Sequence, residues 1–231
     1  MVATGIDVVF IDIGSVLVES QDGAGPAKRI AAELGLSDAD RRRLDLALMT
    51  TPATSPDAVA GVARDVVARV WREQLDEAVA VRGAAAAVQA LHDAGFRIGL
   101  LSNIWEPYLR SAAGRLPDVF GPLTEPDLRL FSCRVGLAKP DPALYRLAIE
   151  RAGVPAERIA MVGDSYVRDI APAIDAGLAT VWAPRARERD QVAAVEAGLL
   201  AAPWRQVASI ADVTPELLAG HSVPASMGGH E

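Results

Sequence analysis

The sequence predicts an α/β fold, a doubly wound parallel sheet with an inserted all-helical domain. Three observations carry that expectation. Five short apolar runs each end in a small or polar residue; helical segments closed by glycine separate the later runs; and more than 80 residues lie between the first run and the second, far beyond the needs of a crossover.

The first run, Val8–Asp12, is β-branched and almost continuously apolar, the pattern of a strand buried on both faces. From about residue 21 to residue 82 the chain reads as helices only. Breaks fall at Gly35, at Thr50–Pro56 and near Val79–Gly83, and helix starts at Ser37 with Asp38 and at Ser55 with Pro56. Gly83–Ala94 carries an alanine-rich stripe and stops at Gly95, a residue suited to a left-handed cap. It leads into the second strand, Arg97–Ser102, and later the third, Leu128–Ser132. Pro142–Ala152 follows Asp141, an N-cap with proline in first helical position, and stops at Gly153. The fourth strand is Ile159–Asp164, a helix over Asp169–Ala176 stops at Gly177, and the fifth strand is Leu178–Ala183. Residues 1–20 and 83–219 are accordingly assigned to the α/β core, 21–82 to the helical insertion and 220–231 to a frayed tail.

Composition narrows the partners. The chain has 231 residues, 51% of them hydrophobic, and a formal net charge of −7, with a pI near 5.1. That balance speaks against nucleic acid and anionic membrane surfaces, which select clustered Lys and Arg. The single cysteine, Cys133, excludes a disulfide framework and a Cys-rich zinc site, and its apolar surroundings predict a buried inert thiol. With no secretory pattern at the N-terminus and no apolar run near 18 residues, a cytoplasmic location is the default expectation. Nothing indicates an oligomeric state. His92 is expected to face solvent, while His221 and His230 fall in the tail, so histidine chemistry is not expected.

Chemistry is expected at the C-terminal ends of the strands. The first ends in Asp12-Ile13-Gly14-Ser15 and the second in Ser102-Asn103. The third is followed by Gly136-Leu137-Ala138-Lys139-Pro140-Asp141, and the fourth ends in Gly163-Asp164-Ser165, with Asp169 five residues beyond Asp164. Of 23 basic residues only Lys28 and Lys139 are lysines. A lysine kept in so arginine-rich a chain fits a site that needs a compact ammonium rather than a planar guanidinium. Trp105 is read as packing and stays outside the site.

In this order and spacing, the four segments resemble the four motifs of the haloacid dehalogenase superfamily, and the insertion lies where that family carries its helical cap. The resemblance covers nearly the whole chain and implies a Rossmann-like core and a magnesium-dependent hydrolase acting on a small phosphorylated metabolite, sugar phosphates included. It implies Asp12 as nucleophile, forming an aspartyl phosphate. Ser102 and the backbone of Asn103 would hold phosphoryl oxygens, Lys139 would neutralise both Asp12 and the phosphate, and Asp12, Gly14 (through its carbonyl) and Asp164 would hold Mg2+, with Asp169 as an outer ligand or the holder of a metal-bound water.

One position departs from the pattern. Most phosphatases of the superfamily carry a second Asp two residues after the nucleophile as general acid and base; here it is Gly14. Such help is typically worth about 10²–10⁴ in rate. Three readings follow: a working phosphatase with water, substrate or a cap residue moving the proton; a metal-independent 2-haloacid dehalogenase, whose halide leaves without one; and a catalytically weakened binding or regulatory protein. The insertion does not name the substrate, since Arg41, Arg42 and Arg43 against Asp38, Asp40 and Asp45 read as a solvated helix face.

Overall fold

The computed structural model describes residues 5–21, 23, 25–52 and 64–220. Their elements are β1 (Val8–Ile11), β2 (Val18–Ser20), α1 (Pro26–Leu34), α2 (Asp38–Thr50), α3 (Arg64–Gln74), β3 (Ala78–Ala80), α4 (Ala84–Asp93), β4 (Arg97–Ser102), α5 (Glu106–Arg115), β5 (Arg129–Phe131), α6 (Ser132–Val135), α7 (Pro142–Ala152), β6 (Ile159–Gly163), α8 (Ala171–Asp175), β7 (Ala179–Trp182), α9 (Arg189–Glu196), β8 (Arg205–Gln206) and α10 (Pro215–Ala219).

Six strands form one parallel sheet in the order β5-β4-β1-β6-β7-β8. All five predicted strands are present, and β8, two residues long, is an addition too short to leave a periodic signal. Residues on β1 alternate between two cores. Val9 and Ile11 pack with Leu91, Leu100, Leu109 and Val162 on one face, while Val8 and Phe10 pack with Leu144, Tyr145, Ala148 and Met161 on the other. Burial on both faces is why these strands read as unbroken apolar runs. Gly99 on β4 is required by packing: a Cβ there would lie 2.5 Å from the Phe10 ring and 2.8 Å from Leu128 O.

Helix ends follow local chemistry. Ser37 caps α2 by accepting from Asp40 N, Asp141 caps α7 by accepting from Ala143 N, and Gly35 and Gly153 close α1 and α7 in the left-handed region. The helix expected over Asp169–Ala176 instead begins with a π-helical turn at Tyr166–Ile170 and continues as α8. The stretch 21–82 is not helical throughout, because β3 pairs antiparallel with β2 (Val18↔Ala80, Ser20↔Ala78) where the chain leaves and re-enters the core. The expected break at Thr50–Pro56, the Ser55 helix start and the tail, including His221 and His230, lie wholly or largely outside the described residues.

Helices α1, α2 and α3 bury Ile30, Leu44, Leu48, Val67, Val70 and Trp71 in a cluster of their own, joined by Trp105 from the sheet side. Trp71 and Trp105 meet edge to face at 5.4 Å. A buried carboxylate ties the hairpin to these helices: Glu77 accepts from Ser20 Oγ, Arg29 and Gln74, and Gln74 in turn accepts from Trp105 Nε1 at 2.9 Å. Among the described residues no helix is long and apolar enough to cross a membrane.

Candidate active site

The strand order reverses beside β1, with β4 on one side and β6 on the other. At such a switch point the loops leaving adjacent strands diverge and open a crevice at their C-terminal ends. Asp12 follows β1 there and its N–H donates to Val162 O at 2.9 Å. Ser102 ends β4 and Asp164 follows β6, so register alone brings the three side by side.

Lys139 arrives from the loop before α7 and is 5% exposed. Its Nζ lies 2.8 Å from Asp12 Oδ1, pairs with Asp169 Oδ1 and donates to Leu101 O at 3.1 Å. Burial opposes the ammonium charge, but Asp12 and Asp169 outweigh it and hold its pKa above the ordinary lysine value. The second oxygen of Asp169 accepts from Ser165 N at 2.9 Å. Asp169 is buried and tied to both the lysine loop and the turn at Ser165.

Asp12, Asp164 and Asp169 each offer an oxygen within 4.8 Å of the others, and all three are buried. Three carboxylates and one ammonium leave an excess of negative charge inside the protein. Asp164 records it: burial, then the charge of Asp12, push its pKa up to about 7 against the pull of Arg187. An all-oxygen donor set with excess negative charge fits a hard divalent cation.

Asp12, Ser102, Lys139 and Asp164 line one polar cavity of about 240 Å³ with Gly14, Ser15, Asp45, Met49, Asn103, Arg168 and Arg187. Of the residues singled out in the sequence, Asp12, Gly14, Ser102, Asn103, Lys139 and Asp164 reach its wall, and Asp169 stands behind Lys139. The Asn103 side chain is engaged with the lysine loop. Its amide donates to Lys139 O at 2.8 Å and accepts from Lys139 N at 2.7 Å, clamping the lysine loop and leaving only its backbone for a ligand.

Several lining residues escaped the sequence reading. Arg187 pairs with Asp164 and donates to Ser15 Oγ at 3.3 Å. It follows β7, so the strand-end rule applied to the fifth strand would have flagged it. Ser15 holds φ +63, rare for a non-glycine residue. Arg185 Nε fixes this turn by donating to Ser15 O at 2.9 Å. Asp45 and Met49 come from α2. While Arg41–Asp38 and Arg43–Asp40 pair at 3.3 Å as a solvated face should, Asp45 turns toward the cavity. A second, apolar cavity of about 200 Å³ adjoins the first through Gly14, Ser15, Met49 and Asn103, and Trp105 lines it with Pro26, Ile104 and Tyr108. Cys133 and His92 behave as expected: the thiol is buried and raised to about 11, chiefly by burial, and the imidazole is half-exposed.

The haloacid dehalogenase-like hydrolase profile matches residues 6–177. The pyrimidine 5'-nucleotidase YjjG of Escherichia coli is 38% identical over 41% of this chain and 40% of its own length. A phosphoserine phosphatase of Thermus thermophilus is 47% identical over 25% of this chain and 23% of its own. The chain thus spans well under half the length of these curated relatives. Among solved structures, CbbY of Rhodobacter sphaeroides in complex with phosphate superimposes with a TM-score of 0.61 at 20% identity, covering 92% of this chain and 99% of that one; at that identity the likeness speaks for the fold. Because the profile match runs over most of the chain and takes in Asp12, Ser102, Lys139, Asp164 and Asp169 together, this protein belongs to the haloacid dehalogenase-like hydrolases.

Proposed function

We propose that the chain is a magnesium-dependent phosphatase of a small phosphorylated metabolite, with residues 21–82 acting as a cap over the core assigned to 1–20 and 83–219. One observation carries this reading: a buried cluster of Asp12, Asp164, Asp169 and Lys139 opens into a polar cavity sized for a phosphoryl group. Phosphoryl transfer needs little from a protein beyond an aligned nucleophile and positive charge around the equatorial oxygens. Asp12 attacks phosphorus to form an aspartyl phosphate, which water then hydrolyses. Lys139 holds the Asp12 carboxylate in place and faces the incoming charge. Ser102 donates to a phosphoryl oxygen. Asp169 and Asn103 keep the lysine head and its loop from moving. Asp12, Gly14 and Asp164 would hold Mg2+, with Asp169 close behind, and bound magnesium supplies neutralising charge between the carboxylates and the phosphate. Relatives named as a phosphoserine phosphatase, a pyrimidine 5'-nucleotidase and a glyceraldehyde 3-phosphate phosphatase support a phosphomonoester.

The test is turnover of p-nitrophenyl phosphate with magnesium and with EDTA, for the wild type and Asp12→Asn. Metal-dependent turnover that falls by on the order of 10⁴-fold in the variant is expected. Turnover indifferent to magnesium would count against it, and chloride release from a 2-chloroacid would point to dehalogenation. Gly14 favours one further reading, a binding protein that keeps the phosphate site. No turnover together with a raised melting temperature in beryllofluoride and magnesium would select it.

A further inference from the structure

Expulsion of an alkoxide from phosphorus needs a proton, and later the attacking water must lose one. Gly14 has no side chain to move either. Most of the titratable side chains around the cavity are committed already. Asp12 is paired with Lys139, and Asp164 with Arg187. Asp45 is the lining carboxylate with no hydrogen-bond or ion-pair partner among the described residues. It stands on α2 four residues before Met49, so the two share one helix face, and Met49 lines both the phosphate cavity and the apolar one beside it. That places Asp45 on the insertion side of the bond to be broken, opposite the carboxylates of the sheet.

We propose that Asp45 is the proton-transfer residue of this hydrolase, supplied by the insertion in place of the acid absent at position 14. The assignment rests on the phosphatase reading above. In the first step the Asp12 oxygen bonds to phosphorus, the bond from phosphorus to the ester oxygen breaks, and the leaving oxygen takes the Asp45 proton and departs as an alcohol. In the second step water gives a proton to the Asp45 carboxylate as its oxygen bonds to phosphorus. The Asp12–phosphorus bond breaks, releasing inorganic phosphate and restoring both carboxyl groups to their starting states. Asp45 is exposed at the cavity rim; the desolvation it meets there raises its pKa despite Arg168 and Arg41 nearby, which favours the protonated form that the first step uses. Charged groups on the helices packed against α2 are largely engaged elsewhere: Arg29 with Glu73 and Glu77, Glu33 with Arg69, and Arg134 with Glu106. Lys28 is exposed.

The test compares p-nitrophenyl phosphate, whose leaving group needs no proton, with a simple alkyl phosphate, in magnesium, for the wild type and Asp45→Asn. In the variant kcat/KM for the alkyl ester should fall by about 10²-fold or more and for the aryl ester by less than about fivefold. Aryl turnover should also show a burst of nitrophenol as hydrolysis of the aspartyl phosphate becomes limiting. The double variant Asp45→Asn, Gly14→Asp should recover part of the alkyl rate. Position 14 has room for this, since a Cβ there meets nothing within 4 Å and Gly14 is not among the positive-φ glycines. Equal losses on both esters, or no recovery in the double variant, overturn the assignment while leaving the phosphatase reading standing. Absence of wild-type turnover on either ester overturns both.

Discussion

Replacing Lys139 with Met keeps much of the stem and deletes the ammonium. The wild-type head lies 2.8 Å from Asp12 Oδ1, pairs with Asp169 and donates to Leu101 O, and its side chain is 2% exposed. Without it two carboxylates and a carbonyl face one another in a space water barely reaches. Removing one partner of a buried ion pair typically costs about 3–5 kcal/mol. For a chain of this size 1 kcal/mol moves the melting temperature by about 2–4 °C, so Lys139→Met should melt roughly 6–20 °C lower at pH 7.5 in EDTA. The stranded carboxylates relieve the strain by binding protons. Burial already raises Asp169, and loss of the lysine that holds it down raises it further above its unfolded value, so the folded variant keeps a proton the unfolded chain has lost and its stability rises as pH falls. The deficit should therefore shrink markedly at pH 5.5. Thermal unfolding followed by circular dichroism at the two pH values decides it. A variant melting within 2 °C of wild type at pH 7.5, or one equally weakened at both pH values, would refute the account of Lys139 as the counter-charge of the site.

The Asp164 carboxyl, raised from 3.8 to about 7, gives the metal-free wild type the same sign: between those values the folded state holds a proton that the unfolded chain has lost, so stability should decline with rising pH by on the order of 4 kcal/mol. Urea melts from pH 5 to 8 should show this slope in EDTA and a flatter one in Asp164→Asn. Gly163→Ala would set a Cβ 2.3 Å from Asp169 Cβ. Asp169 must then leave Lys139, with about 1–3 kcal/mol lost to overpacking and activity reduced by about 10²-fold; stability and turnover like those of wild type would contradict this. Arg187 is half-exposed, so its pair with Asp164 is worth under about 1 kcal/mol. Arg187→Gln should bind magnesium up to about fivefold more tightly by calorimetry, because a competing cation has gone; weaker binding would instead mean that the guanidinium helps to shape the site.

The sequence by itself determined the sheet and which side chains stand at its switch point. Strands buried on both faces must be continuously apolar, glycines and caps mark where helices stop, and the end of a parallel strand is where a side chain reaches the crevice. Asp12, Ser102 and Asp164 were legible for that reason, and Lys139 because a lysine in an arginine-rich chain stands out. Tertiary structure decided what lies across from them. Asp45 and its neighbours on α2 follow the same local charge pattern, yet only the packing of that helix turns Asp45 toward the cavity while Asp38 and Asp40 pair in solvent. Nothing local gives the Asn103 side chain a role, and only the approach of the lysine loop makes it a clamp. The Glu77 network and the β2–β3 hairpin join residues more than 50 positions apart. Local periodicity reports the environment of a segment, whereas the pairing of distant segments depends on which surfaces remain to be buried once each has formed.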